Sequence, residues 1–245
     1  MRRLGRRVAG VALIGGDLPS WLVQFNLATE GGDRCEMEWL IVAGGYLLGC
    51  VLPADWIVRR RTGHAPDELG DNPGGAGTWR LAGPRWAVPV ILLDIAKGAL
   101  PVAAAEAWGL RGGWLALAAV APVAGHNWPL HRRFRGGRGL APATGALLWL
   151  AWPQMLPAYA LGVVAALAGR WVPLVGVVAF PIGLGAMLWA RLPYDRMAAA
   201  GAVMMAVALR QLPWLWQRLR QRVGPPHAGQ ARPDRPRPPE ARLRS

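Results

Sequence analysis

WAVPVILLDIAKGALPVAAAEA, residues 86–107, is apolar except for Asp94, Lys97 and Glu106. A helix needs about 20 such residues to cross the hydrocarbon core of a bilayer. Asp94 and Lys97 stand three positions apart, so a helix places them on one face. Charges within a span are costly, and they mark either a functional site or an ion pair that stabilises the bundle. Gly98, directly after the lysine, permits close approach by another backbone or by a ligand.

Working outward, further apolar runs give seven candidate spans, at 37–57, 86–107, 113–128, 140–152, 155–169, 172–190 and 197–213. The fourth and fifth are short and flank Pro153, which suits tilted or re-entrant segments. The composition agrees with an integral membrane protein. Of 245 residues, 53% are hydrophobic and 17% charged, with mean hydropathy +0.22; soluble domains carry about 25% charged residues. Fourteen Trp against three Phe and three Tyr fit a chain with many bilayer interfaces.

The formal charge is +14, and nearly all of the 28 basic residues are arginine. In a membrane protein such charge first indicates cytoplasmic loops and anionic headgroups. Nucleic acid is disfavoured, because no zinc spacing or aromatic-basic platform accompanies the charge. Cys35 and Cys50 supply neither a disulfide framework nor a metal site, and four scattered histidines do not make a zinc site. Loop 58–85 carries Arg59, Arg60, Arg61, Arg80 and Arg85, and loop 129–139 carries Arg132, Arg133, Arg135 and Arg138. Arg218, Arg220 and Arg222 fall on the same side, against Arg111, Arg191 and Arg196 opposite. The bias predicts an all-α, polytopic membrane bundle of about seven helices, with the N-terminus out and the C-terminus cytoplasmic. Residues 1–36 form an N-terminal extension consistent with an over-extended start. Residues 37–223 make the transmembrane domain, and the Pro/Arg-rich stretch 224–245 reads as a disordered cytoplasmic tail.

Three polar clusters fall on the predicted cytoplasmic side. In GDNPGGAGTWR, residues 70–80, glycines can turn backbone N–H groups toward an anion, with Asn72 and Arg80 alongside. The same residues also make a plain surface turn. The second cluster is Asp94, Lys97 and Gly98. In the third, GHNWPLHRRFRGGRG at 125–139, Arg135-Gly136-Gly137-Arg138-Gly139 alternates cations with permissive backbone just before an apolar run. A helix starting near Leu140 would add its free N–H groups to an anion site there. A topogenic loop accounts for the arginines but not for the interleaved glycines, which favours phosphate binding. No Ser-His-Asp or Cys-His pattern is evident, so positioning and charge stabilisation suit the chemistry better than a covalent intermediate.

The order Asn-Pro-Gly with Arg80 and Gly83, then Asp94-x-x-Lys97-Gly98, then Gly125-His126-Asn127 with Phe134-Arg135-Gly136-Gly137-Arg138-Gly139, resembles the bacterial acyl-phosphate:glycerol-3-phosphate acyltransferases. Arg218-Leu219 resembles the end of that family's last motif, and the likeness covers about residues 38 to 223. It implies a seven-span enzyme that moves an acyl group from acyl phosphate to the sn-1 hydroxyl of glycerol 3-phosphate, giving lysophosphatidic acid. Lys97, Arg138, His126 and Asn127 are the catalytic candidates, with Lys97 and Arg138 neutralising phosphate and His126 a candidate proton acceptor. Asn72, Gly74, Arg80, Arg135, Gly136, Gly137 and Gly139 are the phosphate-binding candidates, the last three glycines through their backbone N–H groups. Asp94 and Gly98 support the site. The implied partners are acyl phosphate, glycerol 3-phosphate or another polyol phosphate, and membrane lipids, for a monomer without metal or cofactor.

The chain also departs from the family pattern. Gly70 stands where a serine is usual, Pro66 near an expected arginine, and Gly75-Ala76-Gly77 where alanine-threonine-asparagine is usual. No histidine or asparagine occurs around Arg210-Gln211-Leu212-Pro213-Trp214. Two further readings therefore stay open: a non-catalytic homologue binding a phosphate-bearing lipid or metabolite, and a small transporter in which Asp94 and Lys97 mark a pathway.

Overall fold

The computed structural model describes residues 33–223, with side-chain detail from 36 to 212. Among these residues lie eight α-helices: α1 (Asp33–Cys50), α2 (Pro53–Thr62), α3 (Gly75–Ala82), α4 (Pro84–Ala107), α5 (Gly112–Asn127), α6 (Leu140–Gly169), α7 (Leu174–Trp189) and α8 (Tyr194–Val223). A 3-10 turn, Leu130–Arg132, leads from α5 toward α6. Among the described residues the chain is all-α, the class expected from the sequence. The tail 224–245 and most of the expected N-terminal extension lie outside the described residues, and α1 begins at Asp33, upstream of Met37.

One expected span and one expected loop take a different form. The run 37–57 is broken after Cys50. Pro53 has no N–H to give the Gly49 carbonyl one turn back, so α1 ends and α2 starts afresh with proline in its first turn. The stretch 58–85, read as a loop, holds most of α2 and all of α3.

The fourth and fifth spans fall within one helical run, α6, that reverses on itself. Ala151, two residues before Pro153, leaves helical geometry at φ −158°, ψ 57°. Gly176 packs on Leu140, and Gly169 packs on Leu174, so both ends of the 30-residue run lie together. A straight helix of that length would hold them about 45 Å apart. Arg196, at the start of α8, caps the reversal: Nη1 donates to the Leu150 carbonyl at 3.0 Å and Nη2 to Glu106 at 2.7 Å. Seven helical arms thus run along the bundle: α1, α4, α5, the two arms of α6, α7 and α8.

By length and composition, Glu36–Thr62, Pro84–Ala107 and Leu140–Gly169 are long and apolar enough to cross a membrane. The outward faces carry Leu47, Leu92, Leu100, Val164, Leu167 and Trp189, all more than half exposed. So much outward apolar surface suits lipid as the solvent. The interior is close-packed around Leu115, Leu147, Leu150, Met155, Val203 and Val207.

Small residues set the helix crossings. A Cβ on Gly98 would collide with the Pro142 carbonyl, and one on Gly145 with the Ile95 carbonyl, so α4 and the first arm of α6 touch backbone to backbone. Gly49 meets Pro122, and Gly125 meets Tyr46, in the same way between α1 and α5. With no hydrophobic drive between helices in lipid, such close approach supplies the packing energy. Gly98 therefore serves close approach by another backbone, one of the two uses its position allowed. Gly98→Val should lower the thermal midpoint in detergent by an amount equivalent to about 1–3 kcal/mol, as overpacking does. Gly44→Ala, at an exposed position with nothing within 4 Å of its Cβ, should leave the midpoint unchanged or slightly raised.

Candidate phosphate-binding site

The three polar clusters meet at one end of the bundle, where α1 and α5 end and α6 begins. At the centre is Lys97, the only lysine in the chain. Its ammonium lies 2.8 Å from Asp94 Oδ1, as the three-residue spacing requires. It donates to the carbonyls of Val51 at 2.7 Å and Gly49 at 3.1 Å, and lies 3.0 Å from His126 Nδ1. An ammonium only donates, so Nδ1 is the acceptor. The Gly49 carbonyl is the one that Pro53, lacking an N–H, leaves without its helical donor. Asp94, Lys97, His126 and Asn127 are 1%, 4%, 2% and 0% exposed.

This geometry revises two expected roles. Four acceptors surround the three hydrogens of Lys97, so none remains for a substrate phosphate in this arrangement. Lys97 instead joins the end of α1 and the connection that follows it to α4 and α5. His126 is enclosed, with Nδ1 on Lys97 and the opposite edge of its ring against Gly137, so it has no opening through which to accept a substrate proton. His126 and Asn127 pin the glycine-rich turn.

The glycines of that turn have a packing reason that the sequence did not disclose. A Cβ on Gly137 would overlap the His126 ring, one on Gly136 would overlap the His126 carbonyl and Pro129, and one on Gly139 would overlap the Asn127 amide. Gly139 also takes φ 71° as it enters α6. The Gly137 N–H donates to the His126 carbonyl at 2.9 Å, so it is not free to cradle phosphate, contrary to expectation. Asn127 reaches across to α8, where Nδ2 lies 3.5 Å from the Ala206 carbonyl.

Around this turn stand the arginines. Arg135 is exposed and Arg138 half-buried. Arg80 grips Asp71 with a fork, Nε to Oδ2 at 2.7 Å and Nη2 to Oδ1 at 2.6 Å. Burial alone would raise the Asp71 carboxyl pKa, but the Arg80 fork, the Asn72 N–H and the charge of Arg138 outweigh it and hold it below its ordinary value. Arg138 therefore acts on Asp71, which places the first and third clusters side by side. Gly74 caps α3 with extended backbone, and its N–H bonds to the Asn72 carbonyl at 2.9 Å. The other acids at this end are also engaged: Asp55 and Asp67 hold Arg132, and Arg59 lies 3.8 Å from Glu68.

Arg210 went unrecognised in the sequence. Its Nε donates to the Gly137 carbonyl at 3.0 Å and its Nη2 to the Gly136 carbonyl at 3.2 Å. Its partners are main-chain atoms more than seventy residues away, and a sequence pattern does not encode such a contact. Arg218 and Leu219 lie on the last turns of α8, outside the described side chains.

Comparison with known proteins agrees with this architecture. Residues 39–221 match the family model described as glycerol-3-phosphate acyltransferase. A glycerol-3-phosphate acyltransferase of Pseudomonas syringae pv. tomato is 38% identical over 160 residues, 63% of this chain and 81% of the relative. One from Rubrobacter xylanophilus is 42% identical over 144 residues, 58% of this chain and 71% of the relative. Two crystal structures of PlsY (YgiH), an integral membrane glycerol 3-phosphate acyltransferase, share the fold. The glycerol 3-phosphate form has a TM-score of 0.65 at 23% identity, over 76% of this chain and 94% of that one. The lysophosphatidic acid form scores 0.67 at 24% identity, over 76% and 93%. The chain belongs to the glycerol-3-phosphate acyltransferase family.

Proposed function

We propose that the protein transfers a fatty acyl group from acyl phosphate to the sn-1 hydroxyl of glycerol 3-phosphate, releasing inorganic phosphate and lysophosphatidic acid. The observation that carries this reading is the family match combined with a turn held rigid between α5 and α8 and surrounded by arginines. The acceptor hydroxyl attacks the acyl carbon, a new C–O ester bond forms, and the bond to the phosphate oxygen breaks. The departing phosphate carries away both the electron pair and the hydroxyl proton, so no side chain need act as base. That suits a site in which His126 is enclosed. Arg138 offsets the charge gathering on the leaving oxygen. Arg80, Arg135, the side-chain amide of Asn72 and the backbone N–H groups of Gly136 and Gly139 hold the two phosphates.

The protein acts as a monomer in the cytoplasmic membrane, with seven crossings and the site on the inner side. The arginines of α2, α3 and the glycine-rich turn gather at the site end of the bundle. Arg60 lies over Trp56 at 4.6 Å, and Arg61 and Arg85 flank Trp86 at 5.4 and 5.7 Å. Paired tryptophan and arginine of this kind fit the headgroup layer of an inner leaflet. The chains of donor and product lie along the apolar outer faces of the helices, open to lipid.

Purified protein in lipid nanodiscs, given acyl phosphate, should release inorganic phosphate only when glycerol 3-phosphate is present. Saturable binding of either compound without turnover would favour the non-catalytic reading instead. Arg138→Ala should lower kcat/KM by about a hundredfold or more, as loss of a charge-stabilising donor does, with the thermal midpoint kept. Lys97→Met should behave differently. It strips a buried Asp94 of its partner, at a cost of about 3–5 kcal/mol, and should lower the thermal midpoint and the yield of folded protein together with activity.

A further inference from the structure

We infer that Arg210 is a positioning residue: one guanidinium on α8 fixes two successive peptide planes of the glycine-rich turn, and with them the backbone from which Arg138 projects. This rests on the acyltransferase reading above for its kinetic consequences, but not for its geometry.

A peptide unit is planar and trans, so aiming a carbonyl aims the next residue's N–H in the opposite direction. Arg210 draws the Gly136 carbonyl toward α8 at 3.2 Å, and the Gly137 N–H accordingly points away, onto the His126 carbonyl at 2.9 Å. It draws the Gly137 carbonyl at 3.0 Å, which turns the Arg138 N–H to the opposite face of the turn. Two neighbouring glycines have wide conformational freedom and would not hold these orientations unaided. The entry to the turn is also strained, since Arg133 and Phe134 take φ of 50° and 63°. Non-glycine residues keep such angles only where their surroundings impose them.

The clamp calls for arginine in particular. A planar fork presents parallel N–H groups that meet two adjacent carbonyls, whereas a lysine is a point donor on a flexible stem. One helical turn before Arg210, the Ala206 carbonyl faces Asn127, whose amide packs on Gly139. The turn is therefore gripped along its length between α5 and α8. Among the described residues the hydrogen-bond partners of Arg210 are both neutral carbonyls, so its positive charge remains to act on the turn.

The test uses the full chain in nanodiscs, with Arg210→Gln, Arg210→Lys and Arg210→Ala. Arg210→Gln should raise KM for glycerol 3-phosphate about tenfold or more with a smaller change in kcat, the pattern of lost ground-state positioning. Hydrogen–deuterium exchange of the peptide spanning 134–140 should quicken by about tenfold, while peptides from α4 and α7 are unchanged. Arg210→Lys should recover only part of the loss. Millimolar guanidinium should partly rescue Arg210→Ala, and equal ammonium should not. Unaltered exchange in the turn of Arg210→Gln would overturn the inference, as would KM, kcat and thermal midpoint all collapsing together. Should the wild type itself show no turnover, the acyltransferase reading fails, and the exchange arm still decides whether Arg210 positions the turn.

Discussion

The Gly49 carbonyl loses its helical donor to Pro53 and takes the Lys97 ammonium instead. Much of the site end follows from that exchange. It lets α1 stop inside the bundle without a bare carbonyl in a dry interior, where an unmet polar group costs several kcal/mol. It gives Lys97 a place among carbonyls, with Asp94 at 2.8 Å to offset its charge. It also brings His126 against the ammonium, which fixes the end of α5 relative to α1 and α4. The imidazole then forms the surface on which Gly137 lies. A break in one helix, an ion pair in a second and a turn after a third are thus one connected structure, and each part supplies what another lacks.

Glycine does two separate jobs here. Gly49, Gly98, Gly125 and Gly145 bring helix backbones into contact along the apolar length of the bundle. Gly136, Gly137 and Gly139 let the turn lie flat on His126 and Asn127. Both jobs need a missing side chain, but only the second shapes the candidate site. A turn packed this tightly presents its backbone in one arrangement, so a ligand bound there would not have to order it and would lose less affinity to entropy.

The sequence disclosed those features whose signal is local. The i, i+3 spacing of Asp94 and Lys97 was enough to foresee their pairing, because helix geometry alone brings them together. The apolar runs marked the arms, including the division near Pro153, where the chain does double back at Ala151. The break at Pro53 was passed over because hydropathy continues across it: Val51, Leu52, Trp56, Ile57 and Val58 keep the window apolar while the hydrogen-bond ladder stops. The glycines of the third cluster were read as facing a ligand because their packing partners, His126 and Asn127, enter only through tertiary structure. Arg210 was hidden for the same reason. Nothing near it in sequence suggests that its fork serves carbonyls from another part of the chain.

Unpaired acids at the site end would oppose an anionic substrate, and their pairing resolves the conflict. Asp71 holds Arg80, Asp55 and Asp67 share Arg132, and Arg59 stands between Asp55 and Glu68. Each carboxylate is thereby turned to ordering the arginine-rich connection from α2 to α4 rather than to repelling phosphate. Arginines outnumber these acids, and Arg135, Arg138 and Arg210 stand on and behind the glycine-rich turn. Guanidinium keeps its proton throughout the physiological range, unlike an amine moved into a dry site. Lys97, the one amine, is sealed among its partners, while the arginines line the candidate site. The positive charge of the candidate site is consequently fixed by residue type, and the fold has only to aim it.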